Sequence, residues 1–94
     1  DPMLTIRRFK GSAKKLSSAL RQYRKREAIK DHIKPYAVFS NRTLVELVKK
    51  VPLTLEELKD IYGIGPHKLD KYGKSLLEVI IKIYNEERKT IIRK

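Results

Sequence analysis

Apolar residues recur along much of the chain at intervals of three and four positions, which is the period of an amphipathic α-helix. The first series, with basic residues filling the positions between, predicts a helix from Ser12 to about Asp31. After it, Pro35 disfavours helical geometry at Lys34. Residues 33–40 are therefore predicted to form an extended, partly buried connector.

Two shorter helices are predicted next. Asn41 is expected to cap the first of them, which Pro52 ends. Thr54 opens the other as a capping box, because Glu57 stands three residues further on and can reach back to the cap. The apolar stripe of this helix consists of Leu55, Leu58, Ile61 and Tyr62.

Gly63-Ile64-Gly65 is predicted to end that helix, and Pro66 to start the last one after a turn of only two or three residues. Gly73 is expected to mark a break or bend in this last and most apolar helical segment. The pattern contains four or five helices and no strand. It predicts an all-α fold, a compact bundle of five helices containing a tight Gly-Ile-Gly helical hairpin.

Length and composition fit one compact domain, with 94 residues of which 40% are apolar. We interpret residues 1–11 as a cloning remnant and linker, residues 12–90 as the helical domain and residues 91–94 as a basic tail. The lack of cysteine excludes thiol catalysis, disulfides and cysteine-ligated zinc. No apolar run approaches the roughly 18 residues that cross a bilayer, so no membrane-spanning segment is expected. An anionic membrane is the less favoured alternative to nucleic acid as a partner of so basic a chain, and no membrane partner is predicted.

The charge balance changes the picture most. Lysine and arginine number 23 against 11 acidic residues, giving a formal net charge of +12, which is typical of a protein that binds nucleic acid. Residues 1–40 hold 11 basic and 3 acidic residues, so the first helix and the connector are expected to have the strongest positive potential. Three further groups are expected to form one face, unless they are scattered solvated charges: Arg24-Lys25-Arg26, Lys49-Lys50, and Lys68, Lys71 and Lys74.

The turn is the first candidate binding segment. Backbone amides of Gly63, Ile64 and Gly65, the positive end of the following helix and Lys68 are suited to hold a phosphate oxygen. The glycines would also let another backbone approach closely. The alternative is structural, with the glycines making the turn and Ile64 filling the core.

The connector is the second candidate. Tyr36 lies between Lys34 and Arg42, an arrangement suited to stacking on an unpaired base while the two cations bind phosphates. Tyr36 is equally compatible with a place in the core, whereas Phe39 is expected to be buried.

Catalytic interpretations have little support. His32 and His67 lack the spacing of a metal site, and each is most simply a surface residue. Acidic residues crowd one short helix, where capping and solvation explain them: Glu56, Glu57 and Asp60. We expect no catalytic site, no metal and no cofactor.

The elements follow the order of a known family. The segments that carry the resemblance are Pro35-Tyr36-x-Val38-Phe39-Ser40-Asn41-x-Thr43-Leu44-x-x-Leu47, then Pro52, then Leu58-x-x-Ile61-x-Gly63-Ile64-Gly65-x-x-Lys68-x-x-x-Tyr72-Gly73, then Leu76 and Ile80. Over about residues 12–90 the chain resembles the HRDC domain, the helicase and RNase D C-terminal module. The resemblance implies a five-helix bundle that is an auxiliary, non-catalytic module of RecQ-type helicases, other helicases or RNase D-like exonucleases.

Family members often bind single-stranded or partly duplex DNA weakly, whereas others bind none and contact protein. The resemblance makes Tyr36, the adjacent bases and the glycine hairpin with Lys68 the binding candidates here. The hypothesis is a monomeric, intracellular module that docks single-stranded or junction DNA, with little sequence preference, for an ATP-dependent DNA helicase of repair and recombination. The alternatives are a protein-interaction or intramolecular regulatory module, which would contact other domains of the parent helicase, and an RNA-side module of an exonuclease.

Overall fold

Five helices make up the structure, a computed structural model that describes residues 13–92, with side chains described for residues 13–86. They are α1 (Ala13–Asp31), α2 (Pro35–Val38), α3 (Asn41–Lys50), α4 (Leu55–Lys59) and α5 (Pro66–Ile92). Residues 13–92 contain no strand, and the predicted all-α bundle is confirmed. The predicted linker over residues 1–11 and the last two residues of the predicted basic tail lie outside the described residues. The domain boundaries stay predictions.

The long helices α1 and α5 pack against each other and form the centre of the bundle. The phenol of Tyr23 on α1 lies 2.7 Å from Ser75 Oγ and donates to the Tyr72 carbonyl at 3.4 Å. Burial raises the pKa of Tyr23 to about 12. The fully buried aliphatic and aromatic side chains around it come from all five helices and their loops, among them Leu16, Leu20, Val38, Phe39, Leu47, Leu58, Leu76 and Ile80.

A left-handed residue ends α1. His32 has φ 58°, and the Ile33 amide donates to the Ala28 carbonyl at 2.9 Å. The His32 amide donates to the Ile29 carbonyl at 3.2 Å. These two bonds form the motif in which a residue with positive φ, usually glycine, closes a helix. Here histidine takes the position that glycine occupies at lower cost.

The connector differs from the prediction. Lys34 is extended, as expected, but residues 35–38 form one helical turn in place of an extended segment, and the Ala37 amide donates to the Lys34 carbonyl at 2.9 Å. The reason is that proline suits the first position of a helix, where its fixed φ fits and its missing N–H is not needed. Val38 and Phe39 are buried, whereas Tyr36 is exposed.

The cap of α3 is Ser40, not Asn41 as predicted. The Ser40 hydroxyl accepts a hydrogen bond from the Thr43 amide at 3.2 Å, and the Asn41 side chain instead accepts from Arg24 at 3.0 Å. Both residue types suit a cap, so the sequence alone did not discriminate between neighbours. The helix ends at Lys50, one residue before Val51, which has φ 45°.

Thr54 caps α4 as predicted, since its hydroxyl accepts from the Glu57 amide at 3.1 Å. The Glu57 carboxylate accepts a hydrogen bond from the Leu53 amide at 2.8 Å. The predicted bond was to the cap residue itself, Thr54, which is the next residue. Two of the four residues in the predicted apolar stripe are buried, and α4 ends at Lys59, before Ile61 and Tyr62. Leu58 and Ile61 are buried, whereas Leu55 and Tyr62 are exposed.

Six residues, 60–65, join α4 to α5, rather than the two or three that we predicted. Gly73 does not break α5, which runs without interruption from Pro66 to Ile92. A Cβ at Gly73 would lie 3.1 Å from Leu55 Cδ2. This glycine therefore allows α4 to pack closely on α5.

Candidate nucleic-acid interface

The turn between α4 and α5 is fastened to the first half of α3. Thr43, which is buried, donates from Oγ1 to the Tyr62 carbonyl at 2.8 Å. The Tyr62 amide donates to Glu46 Oε1 at 3.1 Å, and Glu46 also pairs with Lys50 at 3.3 Å. The amide of Tyr62 is the main reason that the pKa of Glu46 lies below its ordinary value. Both backbone groups of Tyr62 are thus held by α3.

The two glycines of the turn have different roles. Gly63 has φ 84°, and a Cβ there would collide with Thr43 Oγ1. At Gly65 a Cβ would meet no atom within 4 Å. A close approach is therefore present at Gly63, where the neighbour is the Thr43 side chain and not a backbone as predicted, and is absent at Gly65. Ile64 is buried, so it fills the core as the structural alternative stated.

The connector presents Tyr36 to solvent, with 66% of the residue exposed, while Phe39 is 1% exposed. Lys34 is exposed next to Tyr36. Arg24 on α1 holds this segment in place, because its guanidinium donates to the Phe39 carbonyl at 3.2 Å and to Asn41 Oδ1 at 3.0 Å. Burial lowers the pKa of Arg24, with a smaller contribution from Arg21. Arg24 is thus a structural residue of the connector and not an open phosphate ligand.

Arg42 and Tyr62 form a stacked pair that the sequence did not indicate. The Arg42 Cζ atom lies 3.9 Å from the centroid of the Tyr62 ring, which is 48% exposed. Helical spacing assigned Tyr62 to the apolar stripe of α4. That helix stops at Lys59, and the turn then directs the ring outward. The clearest sequence signal for the pair would have been an aromatic residue directly before the Gly-Ile-Gly turn.

The lysines at the start of α5 do not form one open row. Lys71 lies 3.1 Å from Asp31 Oδ2, and the Tyr72 hydroxyl donates to the same oxygen at 2.9 Å. Lys71 and Tyr72 lower the pKa of Asp31, and Asp31 raises that of Lys71. Lys68 is half-buried and Lys74 is exposed. A three-residue step rotates a helix by about 60°, so Lys68 and Lys74 lie roughly 120° apart around α5.

These contacts place the connector and the turn at one end of the bundle. Asp31, the last residue of α1, is bonded to the second turn of α5, and the first turns of α3 hold Tyr62. Lys34, Tyr36, Arg42 and Lys68 lie on segments that meet there. Lys49-Lys50 lie at the other end of α3, about 10–12 Å from Arg42 along the helix axis. Arg24 and Lys71 are engaged within the domain, and the prediction that the groups of bases form one face stays a prediction.

Residues 13–86 contain no group of three or more His, Cys, Asp or Glu side chains placed to hold a metal ion. His32 and His67 are both exposed. Among the described helices, none is long and apolar enough to span a membrane.

The family profile of the HRDC domain matches residues 13–80. This chain belongs to the HRDC domain family. The HRDC domain is an accessory domain of helicases, and the chain is not itself a catalyst.

Sequence relatives and a solved structure agree with this family membership. The chain is 47% identical over 60 residues to the ATP-dependent DNA helicase Q-like 4B of Arabidopsis thaliana and 40% identical over 65 residues to the ATP-dependent DNA helicase RecQ of Bacillus subtilis. The matches cover 64% and 69% of this chain but only 5% and 11% of those helicases. The solved structure of D. radiodurans RecQ HRDC domain 3 superposes with a TM-score of 0.75 at 32% identity, covering 78% of this chain and 96% of that one.

Proposed function

We propose that this HRDC domain binds single-stranded or junction DNA, weakly and with little sequence preference, as a module of a RecQ-type DNA helicase. The observation that carries the proposal is the exposed ring of Tyr36, flanked by Lys34 and placed at the same end of the bundle as Arg42 and Lys68. The relatives reported above are named DNA helicases, which favours DNA over RNA.

The chemistry of these groups explains the expected weakness and breadth of binding. Stacking of one base on a tyrosine contributes about 1–3 kcal/mol and works with every base, because each has an aromatic face. Lys34, Arg42 and Lys68 contact phosphates, which carry no sequence information. Few contacts of either kind are available, so the affinity of the isolated domain is low.

A titration of a labelled single strand at several salt concentrations tests this proposal. Three to five phosphate contacts predict a slope of about −2 to −4 for the logarithm of the binding constant against that of salt. Lys34→Ala lowers the steepness by about 0.7, whereas the matched control Lys49→Ala, at the far end of α3, leaves it unchanged. A flat salt response, or equal effects of both lysine variants, contradicts the proposal.

A second candidate is a protein-interaction or regulatory module that contacts other domains of the parent helicase. It is favoured by two exposed apolar residues at and just after the end of α1, namely Ile29 and Ile33. The double variant Lys68→Glu/Lys74→Glu discriminates between the two functions, since Lys71 is already paired with Asp31. A defect seen only in the full-length enzyme, with unchanged DNA affinity of the isolated domain, favours the second candidate.

A further inference from the structure

The Arg42–Tyr62 pair differs from the other stacked cations of the described residues. Arg24 lies 5.5 Å from the ring of Phe39, and Lys71 lies 5.4 Å from the ring of Tyr72. Both of those rings are buried, whereas nearly half of Tyr62 is exposed. The Arg42–Tyr62 separation of 3.9 Å is that of two planar groups in contact. This pair is therefore an open aromatic surface and not part of the core.

The position of Tyr62 is fixed before any ligand arrives. Its carbonyl and its amide are both hydrogen-bonded to α3, through Thr43 and Glu46. The next residue, Gly63, is held so closely against Thr43 that a Cβ does not fit. A group whose backbone is already ordered loses little conformational entropy on binding.

The guanidinium of Arg42 keeps its hydrogen-bonding capacity while it stacks. Its N–H donors lie in the plane of the group, so covering one face with the Tyr62 ring leaves them directed sideways. Arg42 makes no ion pair with any of residues 13–86, although its charge contributes to the lowered pKa of Glu46, whose Oε1 atom is bound by Lys50 and by the Tyr62 amide. The pair thus offers a stacking surface and phosphate-binding donors at one place.

We propose that the Arg42–Tyr62 pair is a second base-stacking platform, on which an unpaired nucleotide places its base while Arg42 binds the adjoining phosphate. The inference rests on the proposed function and extends it. With Tyr36, the domain has two platforms, and because Tyr36 lies six positions before Arg42 their Cα atoms are at most about 20 Å apart. The ligand is accordingly a single strand long enough to reach both rings, in preference to a single flipped base.

The experiment compares Tyr62→Ala and Tyr62→Phe in the full 94-residue chain. The probes are a labelled oligothymidylate of about twelve nucleotides, within the range of known site sizes, and a strand of equal length that has phosphates and sugars but no bases. Tyr62→Ala is expected to weaken binding of the oligothymidylate by about 5- to 150-fold, the equivalent of one stacked base. Binding of the baseless strand is expected to stay unchanged, and Tyr62→Phe to retain the wild-type affinity for both.

Salt dependence separates the two members of the pair. Tyr62→Ala leaves the salt slope unchanged, because stacking releases no counterions, whereas Arg42→Ala makes it shallower by about 0.7. Circular dichroism checks that Tyr62→Ala is folded, as expected for an exposed side chain whose backbone bonds are retained.

Two results overturn the inference. One is an unchanged affinity of Tyr62→Ala for oligothymidylate while Tyr36→Ala weakens it, which leaves the proposed function intact. The other is an equal loss for both strands, which shows that the ring holds no base. A wild-type domain that binds neither strand refutes the proposed function itself.

Discussion

Gly63→Ala is the substitution that tests most directly how the turn holds Tyr62 in position. Two separate costs are expected at this residue. The backbone has φ 84°, a region that costs a residue with a Cβ about 1–2 kcal/mol. The new Cβ also collides with Thr43 Oγ1, and overpacking of a well-packed site costs about 1–3 kcal/mol. The free energy of unfolding should therefore fall by about 2–5 kcal/mol.

That loss is a large part of the total stability. A domain of this length is stabilised by roughly 5–14 kcal/mol. Each kcal/mol lowers the midpoint of thermal unfolding by about 4–8 °C in a domain of up to 100 residues. The midpoint of thermal unfolding of Gly63→Ala, measured by circular dichroism, is thus expected to lie at least about 8 °C below that of the wild type.

Matched variants at position 43 separate the two costs. In the background Thr43→Ala the atom that collides is gone, so adding Gly63→Ala costs only the backbone term of about 1–2 kcal/mol. In the background Thr43→Val a methyl group replaces the hydroxyl, and the collision persists. Urea unfolding of the six proteins gives the coupling free energy. Equal costs of Gly63→Ala in the Thr43→Ala and wild-type backgrounds would refute the collision, and a cost below about 0.5 kcal/mol would refute both terms.

Two further predictions concern the end of α1. His32→Gly is expected to raise the free energy of unfolding by about 0.5–1 kcal/mol, because glycine adopts the φ of 58° without the steric cost that histidine has there, and urea unfolding that shows a loss would contradict this. Asp31 is bonded to Lys71 and Tyr72, and its folded pKa lies below the ordinary value of 3.8. As the pH falls towards 3.8, the Asp31 carboxyl is therefore protonated in the unfolded chain before it is protonated in the folded one. The stability that Asp31 adds is present above about pH 4 and declines as the pH falls further. The difference in unfolding free energy between wild type and Asp31→Asn should shrink over that range, and a difference independent of pH would disprove the assignment.

The elements that local rules control were the ones that sequence could predict. Three- and four-residue periodicity located α1, α3 and α5, since each has an apolar stripe that faces the core. Thr54 was a correct cap, because a threonine followed by glutamate three residues later is a local signal. The motif order also identified the HRDC family, because ordered spacings from Pro35 to Ile80 depend on the whole fold, and the family profile matches residues 13–80.

The errors arose where a residue's role depends on a partner distant in sequence. Gly73 was interpreted as a helix break, but its function is to make room for Leu55. Lys71 was counted among open bases, although Asp31, forty positions earlier, pairs with it. Helical spacing predicts Tyr62 in the apolar stripe of α4, because nothing local indicates that this helix stops at Lys59. Pairings across the bundle follow from tertiary packing, which periodicity does not encode.

The division of the cations constrains how strongly the proposed site can bind. Arg24 is hydrogen-bonded to the connector and Lys71 is paired with Asp31 on α1. The net charge of +12 therefore overstates the number of cations that a DNA strand can contact. Lys34, Arg42 and Lys68 lie at the end of the bundle that holds both rings, and three phosphate contacts correspond to a salt slope of only about −2.

Stacking by the two rings must then supply a comparable share of the affinity, and this share persists as salt rises. A weak site of this kind is effective when a linker holds it near the strand, where the effective concentration reaches the millimolar range. For a tethered helicase module, low intrinsic affinity also permits release as the enzyme advances. The proposed function therefore predicts that the contribution of the domain to DNA binding is far larger within the helicase than in isolation.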